Sequence, residues 1–283
     1  SVLGYSEMCI KPMIKQTRVA RTKLNKWVGF QGEMVSLDEC EEHGYDDQKR
    51  QEILNDTSVD MTLIQPMLDF MLLVIASTNS QIYKAFLYQL AWVVQHPGDM
   101  SIGKAWVWIS EQGTGKSFFL VWLAMYVFGN HLCGDMTGLG QVVSNFNSHL
   151  EGKIMNVCNE LAQSLREFFT GFDQIKSLVT DPVLSINEKG LKRRFSENIC
   201  GLWIFVSNHF DSMYFETSDR RFICLQVSDA KRNDRQYFAD LHKKCYNYEC
   251  GRHFYRYLKN LDLNTLLHPA MLKVTSTKKE MIV

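Results

Sequence analysis

The chain has no excess of either charge: 31 Lys and Arg balance 31 Asp and Glu over 283 residues. Neutrality excludes a surface that is basic all over, so any contact with nucleic acid has to be a local patch. A membrane span is lacking as well. The most apolar segment, Met61 to Ala76, is too short to cross a bilayer and contains Pro66 and Asp69, which predicts a core helix instead. No secretory signal, internal repeat or low-complexity stretch is visible. The eight cysteines (Cys9, Cys40, Cys133, Cys158, Cys200, Cys224, Cys245 and Cys250) lack a framework spacing. They read as reduced thiols of an intracellular, non-secreted protein. Cys245, Cys250 and His253 are spaced like metal ligands, but a fourth ligand is missing. What the chain does have is 46% hydrophobic residues, sufficient for a sizeable core in about two domains or one large one.

The most informative stretch is Ser110-Glu111-Gln112-Gly113-Thr114-Gly115-Lys116-Ser117, preceded by the apolar run Ala105 to Ile109. Strand, glycine-rich loop and helix follow one another in the order a phosphate-binding loop requires. Gly113 and Gly115 let the backbone curl so that its N–H groups, with that of Thr114 between them, point at phosphates. Lys116 reaches the β- and γ-phosphates, and the Ser117 hydroxyl takes a position on Mg²⁺. The helix expected from Ser117 to Phe128 adds its N-terminal partial charge to the same anion. Ser110 stands where the pattern has glycine. The ligand expected is ATP with Mg²⁺.

Two further strand tips carry chemistry. Ile154 to Cys158 ends in Asn159-Glu160, the place for a strand beside the phosphate loop. A carboxylate there polarises an attacking water and helps hold the metal, so Glu160 is the candidate general base, with Asn159 where many ATPases have Asp. Leu202 to Val206 ends in Ser207-Asn208, and an amide at that tip senses the γ-phosphate. Arg220 and Arg221, before the apolar run Phe222 to Val227, are candidates for an arginine given to a phosphate across a subunit boundary. A salt bridge to a neighbouring carboxylate is the plainer alternative.

Between these strands, alternation at Val183, Ser185 and Asn187 and a turn at Lys189-Gly190 predict a hairpin. Lys189, Lys192, Arg193 and Arg194 make its tip cationic, which suits a phosphodiester backbone. A solvated charge run is the alternative.

The remainder organises around this core. Asp60 to Val94 has the pattern of two helices separated near Thr78-Asn79-Ser80, and Pro97-Gly98 ends them. From residue 103 to 228 apolar runs alternate with helical patterns, as in an α/β sheet domain. Beyond Asp229 helix returns, with Tyr237, Leu241, Tyr248, Phe254 and Leu258 as core positions, and the basic tail after Pro269 is expected to fray. The chain opens without a folding nucleus, which suggests the cut edge of a longer protein.

Taken in order, these elements resemble the superfamily 3 helicases of the AAA+ class, in the form found in phage and large-DNA-virus primase–helicases. The resemblance covers roughly residues 24 to 228. It rests on Asn25-Lys26-Trp27-Val28-Gly29-Phe30, on Tyr88 to Gly98, on the loop from Ser110 to Ser117 and on Asn156 to Glu160. Lys176 to Lys192 is similar to the family's DNA hairpin, Val206-Ser207-Asn208 to its sensor, and Asp219-Arg220-Arg221 to its arginine finger. The resemblance implies an AAA+ phosphate-loop core with a central, mostly parallel sheet. An N-terminal helical region (1–98) and a small C-terminal helical region (229–283) would flank the core at 99–228. It also implies an ATP-driven helicase moving on single-stranded DNA as a hexameric ring, with ATP at each subunit boundary, Lys176 and the hairpin cations on the DNA, and a primase or polymerase domain in the same longer chain. A phosphotransferase such as a nucleotide kinase, or a non-catalytic nucleotide-binding module, are the alternatives.

Overall fold

The computed structural model describes residues 7–9, 23–25, 27–100, 102–159, 165–208, 215 and 219–282; the side chains of 7–9, 23–25, 38 and 165–170 are outside that description. Ahead of the main body, strands β1 (Glu7–Cys9) and β2 (Lys23–Asn25) pair in parallel. Short helices α1 (Leu37–His43) and α2 (Asp47–Asn55) follow. The predicted pair of longer helices is present. Helix α3 (Met61–Phe70), capped by Asp60, continues as a looser π-helical turn to Ile75. The chain then breaks at Ser77 and Thr78, both left-handed, and Asn79 caps α4 (Ser80–Gln95).

The centre is a five-stranded sheet with every pair parallel. Its strands are β3 (Ala105–Ile109), β4 (Cys133–Met136), β5 (Met155–Cys158), β8 (Leu202–Ser207) and β9 (Phe222–Gln226), in the order β4-β5-β8-β3-β9. Parallel strands need cover on both faces, and their apolar runs reflect it. Trp106 and Trp108 face one core, with Phe86 of α4 and Phe119 of α5 (Lys116–Trp122). Ala105, Val107 and Ile109 face the other, with Phe172 and Ile175 of α7 (Leu165–Thr180). A four-residue helix, α6 (Leu139–Val142), follows β4. The order also corrects one expectation. β5 is not beside β3, because β8 pairs with both and lies between them.

Helices α8 (Arg235–Cys245) and α9 (Tyr248–Asn260) join α3 and α4 over the first face, burying Leu241, Phe254 and Leu258 as expected. A buried Glu39–Arg252 pair (2.6 and 2.9 Å) ties α1 to α9. The tail does not fray. It forms α10 (Ser276–Glu280), whose buried Lys278 donates to the carbonyls of Asp219 (2.7 Å) and Phe222 (2.8 Å), while Met281 enters the second core. A basic residue here donates to carbonyls at a strand's start, with the Asp219 carboxylate at 3.7 Å, rather than meeting solvent. Among the described residues no helix is long and apolar enough to cross a membrane.

Candidate nucleotide site and hairpin surface

β3 delivers the chain to the loop at the carboxyl edge of the sheet, where open α/β sheets hold their ligands. Gly113 (φ 80°) and Gly115 (φ 94°) are left-handed, a conformation that costs other residues. Space forbids a side chain there too. An added Cβ would strike Asn233 at Gly113, and Phe238 and Phe70 at Gly115. Ser110 keeps an ordinary φ, so glycine is not needed there. Its hydroxyl meets Thr114 Oγ1 (2.9 Å) and donates to the Glu111 carbonyl (3.0 Å), which braces the loop from inside.

Lys116 is buried at the start of α5. Its ammonium donates to Ser110 Oγ, to the carbonyls of Ser110 (3.0 Å) and Glu111 (3.2 Å), and to Asn208 Oδ1 (3.3 Å). All of these oxygens are uncharged. Burial therefore pushes the ammonium down to about 8, against a smaller opposing pull from the Glu111 carboxylate. Glu111 itself is exposed and lies 3.4 Å from Arg232. Asn208 reaches Lys116 because β8 pairs directly with β3, Ser207 opposite Ile109. Ser117 is exposed on the first turn of α5. Beside the start of the loop opens a cleft of about 590 Å³, lined among others by Ser77, Gln81, Ser110, Glu111, Gln226 and Thr275.

The structure thus unites Ser110, Gly113, Thr114, Gly115, Lys116 and Asn208. Ser117 follows at once on α5, and the other described candidates lie apart. Asn159, at the end of β5, is separated from the loop's strand by β8, and its Nδ2 donates to Asp135 Oδ1 (2.6 Å) at the end of β4. Glu160 is outside the described residues. Asp135 was missed, and nothing in the local pattern of β4 singles it out. Arg220 and Arg221 precede β9, so they occupy the opposite edge of the sheet from Lys116. Arg220 is exposed, whereas Arg221 lies 3.8 Å from the buried Asp219 carboxylate. The thiols of Cys245 (4.0 Å) and Cys250 (3.3 Å) both donate to the Leu63 carbonyl, and His253 Nδ1 accepts from the Asp60 amide (3.0 Å). No cluster of three metal-ligating side chains occurs among the described residues.

The expected hairpin is formed by β6 (Val183–Ile186) and β7 (Arg194–Glu197), antiparallel with Ser185 opposite Phe195, and Gly190 makes the left-handed turn. Leu184 and Ile186 sink into the second core. Asn147 clamps the β6 backbone through Ser185 O and Asn187 N, both at 2.9 Å. Lys189, Lys192 and Arg193 are exposed at the tip. Arg194 is not available in the same way. It forms a two-pronged pair with Glu151, with Glu188 at 3.8 Å, and these carboxylates raise its affinity for the proton. Lys176 lies on α7, paired with Asp173 (3.2 Å) and 4.3 Å over the Phe172 ring.

Residues 108–221 match a family of unknown function (DUF5906). Over 180 residues the chain is homologous, at 28% identity, to the protein named DNA Primase-polymerase of Nitratiruptor phage NrS-1. That match takes in 63% of this chain but only 24% of the phage protein. Solved apo structures of the NrS-1 C-terminal region share the fold over 97% of this chain and 59% of theirs. Two of them have TM-scores of 0.72 and 0.70 at 18% and 17% identity. The helicase expectation is thereby corrected. The relative bears the name of a primase-polymerase, and the structural neighbours are that protein's C-terminal region. The error has a physical root. Short motifs describe local geometry, whereas the work a protein does depends on parts those motifs do not encode.

Proposed function

We propose that this chain is the nucleotide-binding, DNA-contacting part of a primase-polymerase-type replication enzyme. In this reading the Ser110–Ser117 loop holds the triphosphate of ATP with Mg²⁺. The observation that carries it is Lys116, a buried ammonium surrounded by uncharged oxygens directly after the left-handed Gly113 and Gly115. A polyphosphate would exchange those neutral partners for anionic ones and relieve the cost of burying the charge. Ser117 would take the metal, and Glu160, by its place in the sequence after β5, would act on the metal's water. The metal, when bound, would screen the phosphate charges. The cleft beside Ser110 has room for a nucleoside.

The strand order, with β8 between β3 and β5, supports an AAA+ type of core. Arg220 and Arg221, at the far edge, would reach a nucleotide only on a neighbouring copy, an arrangement that sizing the protein with ATP tests. Lys189, Lys192 and Arg193 would meet a single DNA strand.

Titration calorimetry of Mg–ATP into the wild type and Lys116→Ala tests the central claim. The expected result is saturable binding, weakened at least about tenfold in the variant, since charge-assisted hydrogen bonds contribute about 1.5–3 kcal/mol. Equal affinity in a folded Lys116→Ala protein, or no binding by the wild type, would sink it.

A further inference from the structure

The hairpin's outward face carries more than charge. Strand alternation sends Leu184 and Ile186 into the core, so their neighbour Ser185, and Phe195 opposite it, lie on the other face. Phe195 is 75% exposed, the most exposed large apolar side chain among the described residues. Val183 (50%) on the same face and Leu191 (60%) near the tip extend an apolar strip. Lys189, Lys192 and Arg193 border it and are all exposed, while Arg194 is turned aside to Glu151.

We infer that Phe195 is a base-stacking platform for a single-stranded polynucleotide, with Lys189, Lys192 and Arg193 on the flanking phosphates. This rests on the proposal that the hairpin meets DNA, and goes beyond it by naming how a base is held. The charge pattern selects the occupant. An apolar protein partner would find the strip interrupted by three cations, whereas a polynucleotide offers π-faces for the ring and an anionic backbone for the charges beside it. A duplex offers no unstacked base face along its length, so the ring discriminates in favour of single strands. Stacking on an aromatic ring is tolerant of base identity, since every base has a π-face. The hairpin is held from below by Asn147 and Glu151, so the ring is presented on a fixed support rather than a loose loop.

Fluorescence anisotropy with a labelled oligo-dT strand, across a range of salt concentrations, tests this. Phe195→Ala removes only an exposed ring and leaves the buried hairpin residues in place. The expected loss of affinity is about 5- to 150-fold at an unchanged salt slope, with Phe195→Trp close to wild type. An oligonucleotide abasic throughout should bind the wild type as weakly as it binds Phe195→Ala. Equal affinity of the wild type and Phe195→Ala for oligo-dT overturns the stacking role while leaving the cationic reading intact. Failure of the wild type to bind any strand overturns both.

Discussion

The side-chain oxygen of Asn208 sits 3.3 Å from the Lys116 ammonium, at the point where the ends of β3 and β8 meet. With Oδ1 accepting from Lys116, the Nδ2 donor of the same amide faces elsewhere. In the proposed site a terminal phosphate would be its acceptor. Asn208→Ala should therefore weaken ATP by about tenfold and ADP much less, since a hydrogen bond to a charged group contributes about 1.5–3 kcal/mol. Paired calorimetric titrations with the two nucleotides check this, and an equal loss for both would remove Asn208 from the γ-phosphate.

The same lysine predicts a pH dependence. In the free protein its charge is lost as pH rises through about 8, below the ordinary 10.5. Phosphates restore the charge, so binding above pH 8 takes up a proton. Affinity should be level below pH 7 and fall by up to about tenfold per unit beyond 8. Calorimetry in buffers of different ionisation enthalpy reads the proton directly. The unliganded fold should behave oppositely. Between pH 8 and 10.5 the unfolded lysine keeps a proton that the folded one has shed, so this group's contribution to stability rises with pH.

The hairpin cations divide into two kinds. Replacing Lys189, Lys192 and Arg193 together by alanine should lower the salt slope of single-strand binding by roughly 2, at about 0.7 per phosphate contact. Arg194→Ala should leave the slope unchanged, because its guanidinium is committed to Glu151, and should instead loosen the hairpin's seat. A slope that falls with Arg194→Ala would return that residue to the nucleic-acid surface.

How far the sequence could be read follows from how local each signal is. The loop from Ser110 to Ser117, the two helices up to Gln95 and the hairpin turn at Gly190 are written in neighbouring residues. Their conformations follow from glycine freedom, capping and alternation. Partners distant in the chain were not legible. Arg194 resembles its free neighbours until Glu151 is brought beside it, and Asp135 gains meaning only when β4 pairs with β5. Lys278 in a basic tail reads as solvated, yet the carbonyls of Asp219 and Phe222 take it inward. Phe195 was one apolar residue among many; only the register with Ser185 assigns it to the outer face. The place of β8 between β3 and β5 likewise depends on pairing that no single segment dictates.

Gly113 and Asn233 give the loop an evolutionary constraint. The asparagine occupies the space into which any side chain at 113 would grow, its own amide donates to the Gly113 carbonyl (3.0 Å), and it holds a left-handed backbone itself. A side chain at 113 is thus barred twice, by the space Asn233 fills and by the left-handed φ of 80°. Descendants of this chain should keep glycine at 113 even where 233 has become smaller.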